Sequence, residues 1–518
     1  MKNFFIFSAN RFDWLFLFLI IAATALVRLN VIKNGNFPFW FDPGRDAVVS
    51  REILEKHDLK IQGPSASGTK DTVYHGVLYY YLIGPLYTWL GGDPQLVVNV
   101  LAILSSITVV AVFGLAMDIS QDRRVGWLAA ILYTASYDGV RGGTWISNPV
   151  LASVSIPFFF WLVWRVFFMD KTKEWPLLTL CLAVSSQSVI FFASHWLVVF
   201  AAAIFQWQQL GKKFSQKWQL PNIILGLVVY GLSISSMLLA QLKAWHDGVF
   251  SLAKLGEFAG STSGEGVSAI TGTLILFINK IIQMLLPTYP VAAIILAGVL
   301  LMCVAKQNKN VKTFWLLVFT APLWLLAWHF RNMNHSLLGL ETMACVLLAN
   351  WLITMAKTKI SQAVAVGILI LFFMSQFSEY QLEKNRRSTV YYLPQGSFFH
   401  DQLAAIDYSY QIAAGQPFSI SSITNPYGYN TLWSYLYNWY GQKKYGYQPL
   451  WFGPDQTGLF GGDLLTKTAS PSAVHISIYE PAQGIPDYLI KQFSLDQNRE
   501  AGTVSAAQNF GSILVETR

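Results

Sequence analysis

Apolar residues in this chain come in blocks. The stretches 14–32, 95–117, 125–140, 149–168, 176–192, 195–209, 221–241, 289–305, 313–329, 336–355 and 360–378 are dominated by Leu, Ile, Val, Phe, Ala and Trp. Their lengths approach or reach what a helix needs to cross about 30 Å of hydrocarbon. Two further blocks differ in kind. Residues 76–90 are broken by Pro85 and carry Tyr79, Tyr80 and Tyr81, side chains that favour the membrane–water boundary. Residues 271–286 contain Lys280 and end in Pro287-Thr288-Tyr289-Pro290. Both are expected to form outer juxtamembrane helices. The first block follows Lys2 and Arg11 and continues past Ala23-Thr24-Ala25, so it reads as an uncleaved anchor.

Basic residues orient the blocks. Arg123 and Arg124, Lys171 and Lys173, Lys212, Lys213 and Lys217, Lys306, Lys309 and Lys312, and Lys357 and Lys359 fall in alternate short loops. Lys and Arg accumulate in cytoplasmic loops. That register predicts a polytopic α-helical membrane protein with eleven transmembrane helices, a cytoplasmic N-terminus, and long structured outer loops at 34–94 and 242–288. Beyond residue 378 the composition turns polar. Residues 380–518 are expected to form a small extracytoplasmic α/β domain, with strands at 418–423, 474–478 and 512–515 and helices over 401–414 and 430–443. Residues 1–379 form the transmembrane module.

Composition agrees with this picture and narrows the chemistry. Of 518 residues, 53% are hydrophobic and 12% charged, with a mean hydropathy of +0.41. The net charge of +8 is scattered between apolar blocks rather than gathered into a nucleic-acid-binding face. Cys181, Cys303 and Cys345 all lie inside apolar blocks, which leaves no disulfide framework and no Cys-based metal site. No His-Glu-x-x-His, Cys-x-x-Cys or Walker-type pattern is present.

The charges that remain against the membrane are therefore the candidates, because an ionised group there is expensive unless it is used. Asp42-Pro43-Gly44-Arg45-Asp46 lies shortly after the first block. A carboxylate followed by proline predicts an N-cap at Asp42 and a helix from Pro43 to about Lys56, which puts Asp46 one turn on from Asp42. His75 opens the second amphipathic segment beside Gly76, where a ligand or another backbone can approach closely. Tyr79 belongs to the tyrosine run that follows. Asp138 and Arg141 flank the outer end of the third span, where an ion pair closing the loop accounts for them; Arg141 also joins the substrate-binding candidates. His329, Arg331, Asn332, Asn334 and His335 form a cationic cluster on the outer side, suited to an anionic group such as a phosphate. Glu341 follows in the tenth span, Lys280 offers another positive charge, and Arg28 near the end of the first span can snorkel to the interface.

The order of these parts resembles the GT-C glycosyltransferases, the group that contains protein O-mannosyltransferases and lipid A aminoarabinose transferases. The resemblance rests on Phe41-Asp42-Pro43-Gly44-Arg45-Asp46-Ala47, on Tyr74-His75-Gly76-Val77-Leu78-Tyr79-Tyr80-Tyr81-Leu82, and on His335-Ser336-Leu337-Leu338-Gly339-Leu340-Glu341. It implies a GT-C-like fold and a sugar donor carried on a polyprenyl phosphate. It further implies that the first-loop Asp is a base or binds a divalent metal, with Asp42 best matching that position. Many relatives have an adjacent Asp-Glu pair, whereas here Asp42 is followed by Asp46. The expected function is an inverting transferase of the plasma membrane, acting on an extracytoplasmic acceptor hydroxyl. Asp42 would take the proton and Asp46 would orient it or hold a metal. Arg331 and His335, helped by Lys280, would hold the leaving phosphate, while His75 would shape the sugar pocket. The alternatives are a flippase or transporter of lipid-linked sugars and a non-enzymatic scaffold.

Overall fold

The computed structural model describes residues 11–66, 73–248, 266–327, 337–384, 398–481 and 485–518. Among them, five helices are long and apolar enough to cross a membrane: Phe12–Gly35, Pro94–Ser120, Pro149–Phe168, Ile190–Leu210 and Lys359–Leu382. Two bent pairs raise the number to seven if each is one span: Leu220–Ser233 with Ser235–His246, at 56°, and Leu274–Leu285 with Pro290–Ala305, at 93°. Eleven spans are expected from the sequence, and by length alone the described residues supply five, or seven with the bent pairs. The difference lies in apolar blocks that fold into shorter helices, such as Arg123–Ala135 of 13 residues, Trp175–Ser188 of 14 and Leu340–Met355 of 16. At 1.5 Å per residue none of these reaches across 30 Å by itself. The 271–286 segment falls within the helix Gly266–Leu285, and its Pro287–Pro290 turn makes the sharper of the two bends.

The chain clusters into two compact units. The first takes in the described parts of Met1–Asn30, Lys60–Tyr79 and Leu101–Val390. Its core is built where Pro149–Val163 packs on Trp175–Ser188 and Thr108–Ser120, and where Leu340–Met355 packs on Arg123–Ala135. Phe159, Trp161, Phe314, Met343 and Leu348 are fully enclosed there. Cys181, Cys303 and Cys345 are free thiols within it.

The second unit joins Val31–Leu59 and Tyr80–Val100 to Tyr391–Arg518. Its sheet has the order β2-β1-β3-β5-β4, from β1 (Ser419–Ile423), β2 (Leu450–Trp451), β3 (His475–Tyr479), β4 (Ala506–Phe510) and β5 (Ile513–Thr517). β1 pairs in parallel with β2 and β3, while β3–β5 and β5–β4 are antiparallel. The first-loop segment docks here through aromatics: Phe37 and Phe39 lie 5.0 and 5.4 Å from Phe399 at the start of the helix Phe399–Ala413, and Phe399 N–H donates to the Phe37 carbonyl at 3.0 Å.

The alternation at 474–478 predicts a half-buried strand, yet β3 is buried on both faces. Its polar face is satisfied internally. Ser419 donates to His475 Nδ1 at 2.8 Å, and His475 Nε2 donates to Gln497 Oε1 at 2.8 Å, on the helix Asp487–Ala501 that covers it. Burial lowers the His475 pKa to about 4. At the other end of β3, Glu480 accepts from Trp433 Nε1 at 2.8 Å and from the Asn425 amide at 3.2 Å, and burial raises its carboxyl to about 7.

These two groups pull stability in opposite directions with pH. Glu480 holds its proton in the folded state above the unfolded pKa, so its term falls as pH rises from about 4.5 to 7. His475 resists protonation when folded, so its term grows as pH rises from about 4 to 6.5. They offset one another where the windows overlap. Glu480→Gln removes the first term, so the variant should gain stability between pH 4.5 and 6.5 by a total on the order of 3 kcal/mol while wild type changes little. Denaturation followed by circular dichroism at each pH reads this, and parallel profiles for the two proteins would refute it.

Candidate active site

The acidic motif lies on the helix Phe41–Glu55, whose N-cap is Trp40 rather than Asp42. Trp40 is extended and its carbonyl accepts the Gly44 amide at 3.0 Å, which brings Asp42 inside the first turn. A carboxylate there is favoured by the helix dipole. Gly44 has no side chain because a Cβ would sit 3.2 Å from the Leu432 backbone, so the motif is pressed onto the helix Thr431–Leu436 of the same unit.

Arg45 organises the two acids. Its Nη1 donates to Asp42 Oδ1 at 2.7 Å, and its Nε and Nη2 both donate to Asp46 Oδ1, at 3.0 and 2.7 Å. Trp40 Nε1 donates to the other Asp42 oxygen at 3.2 Å. The acids are not equivalent: the Asp42 side chain is 45% exposed and that of Asp46 1%. Burial works against the Arg45 charge, but Asp46, Tyr80 and Asp42 outweigh it and hold its pKa well above the ordinary value. The result is a fixed cation gripping a buried carboxylate and orienting one that solvent can reach. This arrangement does not fit a divalent ion, because a guanidinium occupies the space between Asp42 and Asp46. Among the described residues no group of three His, Cys, Asp or Glu side chains is placed to hold one.

The first unit holds a separate group of charges. Lys280 Nζ lies 2.5 Å from Asp138 Oδ2, with both side chains enclosed. Glu341, 1% exposed, is within electrostatic reach of both, and its Oε2 accepts the Gly339 amide at 2.9 Å while Oε1 has no hydrogen-bond donor among the described residues. Arg141 is buried on the same short helix as Asp138, Tyr137–Gly143. Arg28 does not snorkel. It is fully buried and donates to Ser105 at 2.7 Å, Tyr133 at 2.9 Å and the Gly139 carbonyl at 3.1 Å.

His75 and Gly76 dock onto the end of the helix Trp175–Ser188. A Cβ on Gly76 would fall 1.5 Å from Gln187 Oε1, so the close approach that glycine permits is to protein. The Ile190 amide donates to His75 Nδ1 at 3.1 Å, leaving the ring proton on Nε2. Tyr79 and Tyr80 are buried and only Tyr81 is exposed, so the run is not an interfacial belt. Arg331 and His335, with His329, Asn332 and Asn334, lie outside the described residues.

The structure thus brings together Asp42 and Asp46 in one unit, and Lys280 and Glu341 around Asp138 in the other. Arg45 carried no assigned role in the sequence, although its spacing of three from Asp42 is a helical contact distance that signals the pair. The Lys280–Asp138 contact has no local signal.

A module of many apolar helices, an acidic helix after the first of them and a small mixed sheet near the C-terminus make up a fold that has solved counterparts. The particular likeness is to ArnT from Cupriavidus metallidurans. The chain superposes on ArnT bound to undecaprenyl phosphate with a TM-score of 0.55, covering 98% of each chain at 12% identity. The apo form gives 0.53, with 97% of each chain covered at 12% identity. No family model and no curated protein matches the sequence. The shared property is the fold.

Lys280 faces two buried carboxylates, which sets the order of its variants. Lys280→Met removes the cation paired with Asp138 and close to Glu341 and should destabilise by roughly 3–5 kcal/mol. Asp138→Asn leaves Lys280 with Glu341 and should cost less. Thermal unfolding in detergent measures both, and a larger loss for Asp138→Asn would overturn the assignment.

Proposed function

We propose that this protein is an integral-membrane glycosyltransferase that moves a sugar from a polyprenyl-phosphate carrier to an acceptor hydroxyl outside the cytoplasm, with inversion at the anomeric carbon. The observation that carries the reading is the Asp42–Arg45–Asp46 arrangement, set in a fold that runs the length of ArnT. In this reading the N-terminus is cytoplasmic, and residues 380–518, with the acidic helix, are extracytoplasmic.

Asp42 is the base. Its carboxylate is accessible, and Arg45 and Trp40 fix its two oxygens. It accepts the acceptor's proton as the hydroxyl oxygen bonds to the anomeric carbon, the carbon–oxygen bond to phosphate breaks, and the lipid phosphate departs with the electron pair. Asp46 is too enclosed to reach an acceptor, so it acts by fixing Arg45. The leaving phosphate falls to Arg331 and His335, which offer a planar fork and a second donor. Lys280 already holds Asp138, so its contribution is to that cluster before it is to phosphate. The C-terminal domain receives the acceptor, and His75 shapes the sugar pocket through the loop it anchors.

Asp42→Asn keeps an oxygen for Arg45 but cannot take a proton, so transfer in membranes should fall by about 10²–10⁴-fold with the protein still folded. Asp46→Asn should be milder. Wild-type rates from folded Asp42→Asn would remove the catalytic claim.

For the donor, Arg331→Ala should weaken use of the prenyl-phosphate sugar by about 10- to 100-fold, the worth of a hydrogen bond to a charged group. Arg331→Lys should recover part of it, since charge is kept and the fork lost. Donor KM decides the matter, and two variants indistinguishable from wild type would leave Arg331 no phosphate to hold.

A further inference from the structure

Three short loops are knit together at one end of the first unit. Lys217 is ion-paired with Asp170, and Thr172 donates to the Lys217 carbonyl at 3.1 Å. Gln209 donates to Asn310 at 2.8 Å, and Lys309 lies 5.4 Å from the centre of the Phe205 ring. These contacts gather Lys171, Lys173, Lys212, Lys213, Lys217 and Lys309 into one region. The nearby acids are engaged. Asp170 holds Lys217, while Asp118 and Glu174 hold Arg165 at 3.0 and 2.5 Å. Lys212 and Lys213 are exposed and have no acidic partner among the described residues.

Amid these lysines is a recess of about 550 Å³, lined by Trp207, Gln208, Gly211, Lys212, Phe214 and Ser215. Its size falls within the roughly 300–1,000 Å³ of small-molecule sites. Its lining combines two indole and phenyl rings with one ammonium, one amide and one hydroxyl. It also has a fixed depth. The helix Ile190–Leu210 has 21 residues, about 30 Å at 1.5 Å each, and receives His75 at its Ile190 end. The recess lies at its Leu210 end, with Trp207 and Gln208 of the last turn in its lining, one hydrocarbon thickness from Ile190. An aromatic and cationic pocket at the end of a spanning helix is where lipid headgroups lie.

We propose that this recess binds the headgroup of an acidic phospholipid in the leaflet opposite His75. Lys212 meets the phosphate, Gln208 and Ser215 meet headgroup hydroxyls, and Trp207 and Phe214 pack against the glycerol and first methylenes. Scattered lysines would retain any anionic surface loosely and without stoichiometry. A single recess predicts one lipid per chain. This inference does not depend on the sugar-transfer reading, only on the helix crossing the membrane.

The test uses the full chain in neutral detergent, with native mass spectrometry reading retained lipid. Phosphatidylglycerol should bind as a single molecule and phosphatidylcholine should not. Lys212→Gln should lower phosphatidylglycerol affinity by about fivefold, the factor one basic residue near an anionic surface supplies. Ser215→Glu keeps every lysine, and so the orientation in the membrane, yet places an anion in the recess; it should weaken binding at least as much. Equal retention of the two lipids, or unchanged affinity in both variants, overturns the proposal. Displacement of phosphatidylglycerol by an equal concentration of inorganic phosphate would also overturn it, in favour of a free-phosphate site.

Discussion

Arg45 sits between two carboxylates, and neither it nor Asp46 could be held in that position alone. A buried guanidinium without a counter-charge is costly, and so is a carboxylate that is 1% exposed. Together they form a rigid unit, since the planar fork fixes the direction of each bond. The consequence reaches Asp42. Asp46 spends its charge on Arg45, Arg45 spends one nitrogen on Asp42, and the chain of bonds ends at a carboxylate that remains open to solvent. One acid gives structure so that the other can be available for chemistry.

The same constraint governs the first unit by a different solution. Lys280 and Asp138 meet at 2.5 Å, with Glu341 nearby, and Arg28 is met by a hydroxyl, a phenol and a carbonyl. Charges of this kind in an apolar protein persist where neighbouring helices can supply partners. The helix Tyr137–Gly143 supplies several of them: it brings Asp138 to Lys280 and presents the Gly139 carbonyl to Arg28. A short helix with seven enclosed residues is thereby pinned at two points by cations from elsewhere in the unit.

Much of the architecture was legible because it depends on local pattern. Apolar blocks gave the long helices, alternation gave β3, and strand-like composition gave β1 and β5. β4 was missed because Ala506–Phe510 is an edge strand whose side chains are almost all exposed, so it has no apolar alternation to read. β2 has only two residues. The number of spans is less legible than their existence, because hydropathy registers an apolar block whether it folds into 13 residues of helix or 21. At the site, the Asp42 and Asp46 positions were visible, but not their inequality, which depends on which side of the helix faces Leu432 and its neighbours. Lys280 and Asp138 are far apart in sequence, and nothing local to either names the other.

Inequality between the acids bears most directly on mechanism. If both were exposed, like charges one turn apart would repel and either could serve as base. Burying one and inserting Arg45 changes this, because the cation offsets the repulsion and leaves Asp42 with one oxygen bound by Arg45 and the other by Trp40. In the proposed reaction the proton then goes to a group whose direction is set before an acceptor arrives. The three intervening residues, Pro43, Gly44 and Arg45, have distinct parts: proline within the first turn, glycine for contact with Leu432, and arginine for the bridge itself.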